Sequence, residues 1–151
     1  ININLKGPFL LLQSALNHFM QNKYGKVIFT SSITGTIVSA SGHAHYAATK
    51  SGLMGLVKTA AIELSQYNIN INAIVPGNVM SDGMKLERGD EYIKSQSKSI
   101  PLGRLASTDE IGKLVSFLAS DEASYITGQG ITIDGGQTIP ENQDEVFHPK
   151  S

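Results

Sequence analysis

The 151-residue sequence predicts a single α/β domain built on a parallel sheet. Segments with helical periodicity alternate with short apolar runs rich in strand-forming residues. Their order is helix, strand, helix, strand, an irregular stretch, helix, strand. Three strands make a thin sheet whose faces and edges need cover. Because the chain also begins with Ile1, we expect it to be a piece of a longer protein with further strands upstream.

The first helix is predicted over residues 5–22, with Pro8 near its start, where a missing N–H costs least. Its apolar stripe repeats at three- and four-residue steps and consists of Phe9, Leu12, Leu16 and Phe19. Gly25 fits the position just after the helix end. The apolar run at 27–30 then predicts a buried strand.

A second, longer helix is predicted over residues 44–67, again with an apolar face at helical spacing. The next strand covers residues 70–75, where period-two alternation divides the side chains between two faces. Pro76 and Gly77 end this strand. In a parallel sheet, that end is where ligands bind.

Residues 80–99 are polar, contain two glycines and show only weak helical character towards their end. They fit either a mobile lid or a surface excursion without function. Ser107 and Glu110 form a capping box that begins a helix running to about residue 119. The last strand is expected at 130–134. From Gln137 the chain is polar, and we assign residues 1–140 to the domain and 141–151 to a tail.

Composition excludes several classes of protein. The net charge of −1 gives no electrostatic case for nucleic acid or membrane surfaces. The absence of cysteine excludes disulfides and cysteine-based metal sites and fits a reducing compartment, so we expect a cytoplasmic protein. His43 and His45 lack a third ligand and are expected at the rim of a site, not around a metal.

Tyr46 and Lys50 are the strongest candidates for chemistry. Four residues apart on a helix, they lie on one face, one turn from each other. An ammonium beside a phenol favours the phenolate, so the pair can give or take a proton at a substrate hydroxyl. The alternative is a solvated helix face. That reading also suits the charged residues that follow in the irregular stretch, namely Asp82, Glu87, Arg88, Asp90 and Glu91.

Taken together, several motifs over residues 2–140 resemble the short-chain dehydrogenase/reductase family. They are Asn4-Leu5, Ser31-Ser32, Tyr46-Ala47-Ala48-Thr49-Lys50, Asn72-Ala73-Ile74-Val75-Pro76-Gly77, Tyr125-Ile126-Thr127-Gly128 and Asp134-Gly135-Gly136. Within the family, the chain is similar to 3-oxoacyl reductases and to sugar and polyol dehydrogenases. The resemblance implies the C-terminal half of a Rossmann-like, doubly wound parallel sheet.

The resemblance implies four catalytic residues. Tyr46 would exchange the proton, Lys50 would favour its phenolate and bind the nicotinamide ribose, Ser32 would hydrogen-bond the substrate oxygen, and Asn4 would hold a water linking Lys50 to solvent. Ser32 precedes Tyr46 by fourteen residues, where many family members have thirteen, so Ser31 is the alternative. We prefer Ser32 because Ile33-x-Gly35 follows it in the family's usual way.

The resemblance further implies NAD or NADP as cofactor. The implied cofactor-binding residues are Tyr46, Lys50, Pro76, Gly77, Val79 and Ser81. The family's glycine-rich phosphate loop is missing from this chain. So is the acidic or basic residue on an early strand that selects NAD or NADP, and the choice between them therefore stays open.

The whole protein is expected to act on a small carbonyl or alcohol substrate and to form a homotetramer. The alternatives are a non-catalytic binding or assembly module and a fragment that is inactive by itself.

Overall fold

A three-stranded parallel sheet forms the centre of this computed structural model, which describes residues 1–141 and 146. Its strands are β1 (Gly25–Thr30), β2 (Ile69–Pro76) and, further along the chain, β5 (Gly130–Ile133), in the order β1-β2-β5. Both pairings are parallel, as the sequence predicts. A second, two-stranded parallel sheet pairs β3 (Val79–Met80) with β4 (Ala106–Ser107).

Within residues 1–141, five helices connect and cover these strands. They are α1 (Gly7–Asn22), α2 (Ile33–Thr36), α3 (Ala44–Leu64), α4 (Asp82–Lys98) and α5 (Thr108–Ala119). A π-helical turn over Asn2–Lys6 precedes α1, and 3-10 turns follow α3 and α5. Among the described residues, no helix combines the length and hydrophobicity needed to cross a bilayer.

The central strand β2 separates two apolar layers. Ile71 and Ala73 face α1 and α3, where Leu53 and Val57 are fully or almost fully buried. Ile74 faces the opposite layer, formed by α5 and the turn after it. This alternation confirms the predicted division of strand 70–75 into two faces, because successive strand residues point to opposite sides.

The end of α1 differs from the prediction. The left-handed residue that ends the helix is Lys23, with φ of 49°, and not Gly25. Gly25 is the first residue of β1, where an added Cβ would lie 3.0 Å from the Phe19 ring. The glycine at this position therefore serves close packing between strand and helix, which the turn-based reading of the sequence did not consider.

The stretch at 80–99 is more regular than predicted. Helix α4 starts at Asp82, capped by the Ser81 hydroxyl, and is interrupted only at Gly89, which has φ of 75°. Its polar sequence and glycines give no clear helical period, because the helix covers a cleft and none of its described side chains is fully buried. The two interpretations of this stretch, a mobile lid and a surface excursion without function, stay predictions.

Gln137 opens the polar stretch that follows β5. It lines the cleft described below and is half-buried there. Thr138, Pro140 and Glu141 line a separate cavity of about 200 Å³. The remainder of the predicted tail, apart from residue 146, lies outside the described residues.

The outer edge of β1 carries no partner strand within the described part of the chain. Beside it, an apolar groove of about 550 Å³ runs between α1 and β1 and is lined by Leu11, Leu12 and Val27 among others. An unpaired parallel edge next to an apolar groove is the surface that further elements of a doubly wound sheet would cover.

The capping box that starts α5 is present as predicted. The Ser107 hydroxyl accepts from the Glu110 amide at 3.2 Å, and the Glu110 carboxylate accepts from the Ser107 amide at 2.8 Å. Arg104 donates two hydrogen bonds to the same carboxylate. The Arg104 guanidinium, with the Ser107 amide, holds the pKa of Glu110 at about 2.

Replacing the cap hydroxyl should destabilise the protein. Ser107→Ala leaves the Glu110 amide without its partner and should lower the free energy of unfolding by about 1 kcal/mol, measured by urea denaturation. Ser116→Ala, at an exposed position within α5, is the matched control and should change it by less than about 0.5 kcal/mol. Equal losses in the two variants would show that the cap contributes nothing specific.

Candidate active site

Three of the four predicted catalytic residues, Ser32, Tyr46 and Lys50, lie where β1 ends and α3 begins. Tyr46 lies in the first turn of α3 and Lys50 one turn later. The loop after β1 packs directly on this turn through Gly35, which has φ of 99°. An added Cβ there would lie 2.5 Å from the Ala47 carbonyl oxygen. Only glycine allows this approach, so the loop bearing Ser32 is held against the helix bearing Tyr46.

The Tyr46 and Lys50 side chains lie side by side. The Lys50 Nζ is 5.5 Å from the centroid of the Tyr46 ring and donates a 2.7 Å hydrogen bond to the Thr30 carbonyl at the end of β1. Partial burial lowers the pKa of the Lys50 ammonium, since removal from water disfavours the charged form. The Lys50 ammonium therefore lies close to the Tyr46 ring and is anchored to the end of β1.

The two candidate serines have different surroundings. Ser31 is buried, and its hydroxyl donates to the Lys50 carbonyl at 2.9 Å, a contact that joins strand and helix. The Ser32 hydroxyl accepts from the Thr34 amide at 3.1 Å, and Ser32 lines the same cleft as Tyr46. The geometry therefore favours Ser32 as the serine that can contact a substrate, in line with the sequence-based choice.

Asn4 lies on the π-helical turn before α1 and is half-buried. This turn packs against α3 through Leu5, whose side chain occupies the space left by Gly52. Single π turns occur often at functional sites. Asn4 is not among the residues that line the cleft, so its predicted role in holding a water stays a prediction.

A cleft of about 720 Å³ opens at the carboxyl ends of the strands, the expected place for a ligand in such a sheet. Its walls come from the 32–46 region, from the 77–79 turn, from α4 and from Gln137. Residues that line it include Ser32, Tyr46, His43, Gly77, Val79, Met84, Tyr92 and Gln96.

Among the predicted cofactor-binding residues, Gly77 and Val79 line the cleft together with Tyr46. Pro76 is buried as the last residue of β2. The Ser81 hydroxyl caps α4 at 3.1 Å from the Met84 amide, and Ser81 is not among the residues that line the cleft. Three of the six positions, Tyr46, Gly77 and Val79, thus line the cleft, and a fourth, Lys50, lies beside Tyr46.

The two histidines beside Tyr46 differ in position. Both are exposed, and His43 lines the cleft whereas His45 does not. Across residues 1–141 and 146, no three side chains of the metal-binding types converge.

Sequence reasoning missed a polar part of the cleft wall, which Asn78, Gln96 and Gln137 form. The Asn78 side-chain amide donates to Gln96 Oε1 at 2.8 Å, and the Asn78 backbone amide donates to Gln137 Oε1 at 3.0 Å. These contacts join the end of β2, α4 and the loop after β5. No spacing rule connects the three residues, and the only hint is that Asn78 follows the Pro-Gly stop of a strand.

Comparison with known proteins identifies the family. A family model described as enoyl-(acyl carrier protein) reductase matches residues 1–138. The chain belongs to the short-chain dehydrogenase/reductase family. Its relatives bear oxidoreductase names. The chain is 40 % identical over 148 residues to the oxidoreductase UcpA of Escherichia coli K12, covering 93 % of this chain and 56 % of UcpA.

Two further relatives agree. The 3-oxoacyl-[acyl-carrier-protein] reductase FabG of Rickettsia felis is 42 % identical over 139 residues, which are 92 % of this chain and 57 % of FabG. The crystal structure of a gluconate 5-dehydrogenase from Burkholderia cenocepacia, in complex with NADP and tartrate, superposes with a TM-score of 0.83 at 29 % identity. That alignment covers 89 % of this chain and 53 % of the dehydrogenase.

The chain therefore spans little more than half the length of the relatives it matches. The expected fold class is confirmed: the chain has the parallel sheet of a Rossmann-like short-chain dehydrogenase/reductase and corresponds to its C-terminal portion.

Gly77 offers a test of how tightly the cleft is built. An added Cβ would lie 2.7 Å from Gln137 Oε1 and 2.8 Å from Asp134 Cβ. We expect Gly77→Ala to lower the free energy of unfolding by about 1–3 kcal/mol through overpacking, measured by urea denaturation.

The matched control is Gly55→Ala on α3, where an added Cβ meets nothing within 4 Å. This change should leave stability unchanged or raise it by up to about 1 kcal/mol, because alanine favours helix. A Gly77→Ala protein as stable as the Gly55→Ala protein would show that Gln137 and Asp134 move aside at no cost in stability.

Proposed function

We propose that the protein containing this chain is an NAD(P)-dependent oxidoreductase that interconverts a carbonyl and a secondary alcohol. The observation that supports it most is the position of Tyr46 at the cleft with the Lys50 ammonium beside its ring. A phenol next to a fixed cation, at the strand ends where ligands bind, is suited to exchange a proton with a substrate oxygen.

The four proposed residues have different tasks. Tyr46 gives its phenolic proton to the carbonyl oxygen during reduction and takes a proton from the alcohol during oxidation. Lys50 stabilises the phenolate and binds the ribose of the cofactor. Ser32 donates a hydrogen bond to the substrate oxygen, where negative charge develops. Asn4 holds the water through which the proton is replaced.

The cofactor position is supported by the shape of the 76–79 turn. Gly77 presents backbone without a side chain at the cleft, and Val79 lines the same wall. The Lys50 ammonium is a donor suited to ribose hydroxyls. When bound, the nicotinamide would supply or accept the hydride. The similar gluconate 5-dehydrogenase was crystallised with NADP, which agrees with a nicotinamide cofactor in this protein.

We further propose a cytoplasmic homotetramer that acts on a small-molecule substrate, with the phosphate-binding half of the sheet supplied by sequence outside this chain. The outer faces of α1 and α3 support self-association. Phe9 and Ile62 are 49 % and 78 % exposed, and Gly55 leaves open space on α3. Light scattering on the full-length protein would measure the oligomeric state, and a monomer would contradict this part of the proposal.

The proton-transfer role is tested by removing one oxygen atom. In the full-length protein, Tyr46→Phe should lower kcat by about 10²–10⁴-fold, because the proton donor is lost while the ring remains. Binding of NADH or NADPH, measured by calorimetry, should be retained. The readout is nicotinamide absorbance over a panel of ketones and secondary alcohols.

Tyr125→Phe is the matched control, since Tyr125 is fully exposed, and it should show wild-type kcat. A Tyr46→Phe enzyme with a near-normal rate would refute the assignment of Tyr46 as the proton donor.

A further inference from the structure

The side-chain amide of Gln137 has a fixed orientation. Its Oε1 accepts the Asn78 backbone amide at 3.0 Å. An N–H donor requires an oxygen at this position, because the amide nitrogen of glutamine has no lone pair to offer. The NH2 group must therefore occupy the other end of the amide, so that the usual ambiguity between oxygen and nitrogen does not arise here.

The backbone that carries Gln137 is rigid. The Asp134 carboxylate accepts from the Gly136 amide at 3.0 Å, and from both the amide and the hydroxyl of Thr138 at 2.9 and 2.7 Å. The Gln137 amide itself donates to the Asp134 carbonyl at 3.1 Å. Gly77 lies so close that an added Cβ would be 2.7 Å from Gln137 Oε1. The side chain is thus held from both ends.

The NH2 group of Gln137 can still donate a hydrogen bond. Gln137 lines the cleft that Ser32 and Tyr46 also line. Within residues 1–141 and 146, Gln137 Nε2 makes no hydrogen bond, although the residue is half-buried. A donor that is fixed in direction at the wall of the cleft fits a ligand oxygen, because little conformational freedom is lost when the hydrogen bond forms.

We infer that Gln137 is a specificity-determining residue whose NH2 group donates a hydrogen bond to a second oxygen of the substrate, beside the carbonyl that Tyr46 and Ser32 contact. The substrate class is then a ketone with a neighbouring oxygen, such as a diketone or a hydroxyketone. This inference rests on the proposed oxidoreductase function and adds a residue that recognises the substrate.

The test compares two ketones that differ by one oxygen in the full-length protein. Diacetyl and methyl ethyl ketone share a four-carbon skeleton, and one carbonyl of diacetyl replaces a methylene. The quantity measured is the ratio of kcat/KM for diacetyl to kcat/KM for methyl ethyl ketone, followed by nicotinamide absorbance. The key variant is Gln137→Glu, which keeps an oxygen for the Asn78 amide and replaces the NH2 donor by an acceptor.

We expect this ratio to fall about tenfold or more in Gln137→Glu, because a site that has lost its donor no longer favours the second oxygen. Gln137→Met removes both ends of the amide and should lower the ratio in the same direction. Gln66→Glu is the matched control. It makes the same chemical change at an exposed turn after α3, near the start of β2, and should leave the ratio at its wild-type value.

Equal losses for both ketones, with the ratio unchanged, would overturn the specificity role and show that Gln137 only supports the structure. That outcome would leave the proposed function standing. A wild-type protein that converts no ketone or alcohol in a panel with either cofactor would instead overturn the proposed function, and the role of Gln137 with it.

Discussion

The site depends on the attachment of helix α3 to the end of strand β1. Lys50 makes this attachment twice, since its carbonyl accepts the Ser31 hydroxyl at 2.9 Å and its ammonium donates to the Thr30 carbonyl at 2.7 Å. The hydrogen bond from Ser31 fixes the position of α3 along β1. The hydrogen bond to Thr30 fixes the cation, and through it the charge beside the Tyr46 ring. One residue therefore links the fold to the proposed chemistry.

The remainder of the sheet supports this junction. Asn72 is buried in β2, where its side chain donates to the Ile126 carbonyl at 2.7 Å and accepts the Gln129 amide at 3.1 Å. The Thr127 hydroxyl accepts the Ile71 amide at 3.1 Å. These contacts align β5 with β2, so that their carboxyl ends finish together beneath the cleft. The motifs around Asn72 and Thr127, which carry part of the family resemblance, thus stabilise the pairing of β2 with β5.

Much of this arrangement could be predicted from the sequence. Period-two alternation gave the two faces of β2, and the capping box gave the start of α5, because both signals are local. Tyr46 and Lys50 could be found because helical spacing places them on one face. The choice of Ser32 over Ser31 needed the motif around it, and the structure supplies a reason in the structural bond that Ser31 makes.

The parts that could not be predicted depend on contacts between distant residues. Asn78 and Gln137 are 59 positions apart, and only the parallel pairing of β2 with β5 brings them together. Strands β3 and β4 have two residues each, too few to show any alternation. Helix α4 could not be recognised from the sequence, because it lies over a cleft and therefore lacks an apolar stripe of the usual width.

The most direct test of the account concerns the charge on Lys50. The kcat for alcohol oxidation should be compared between the full-length wild-type protein and Lys50→Met at saturating cofactor. If the ammonium stabilises the phenolate, its removal should lower kcat by about tenfold or more. A Lys50→Met protein with the wild-type kcat would contradict the claim that Lys50 activates Tyr46.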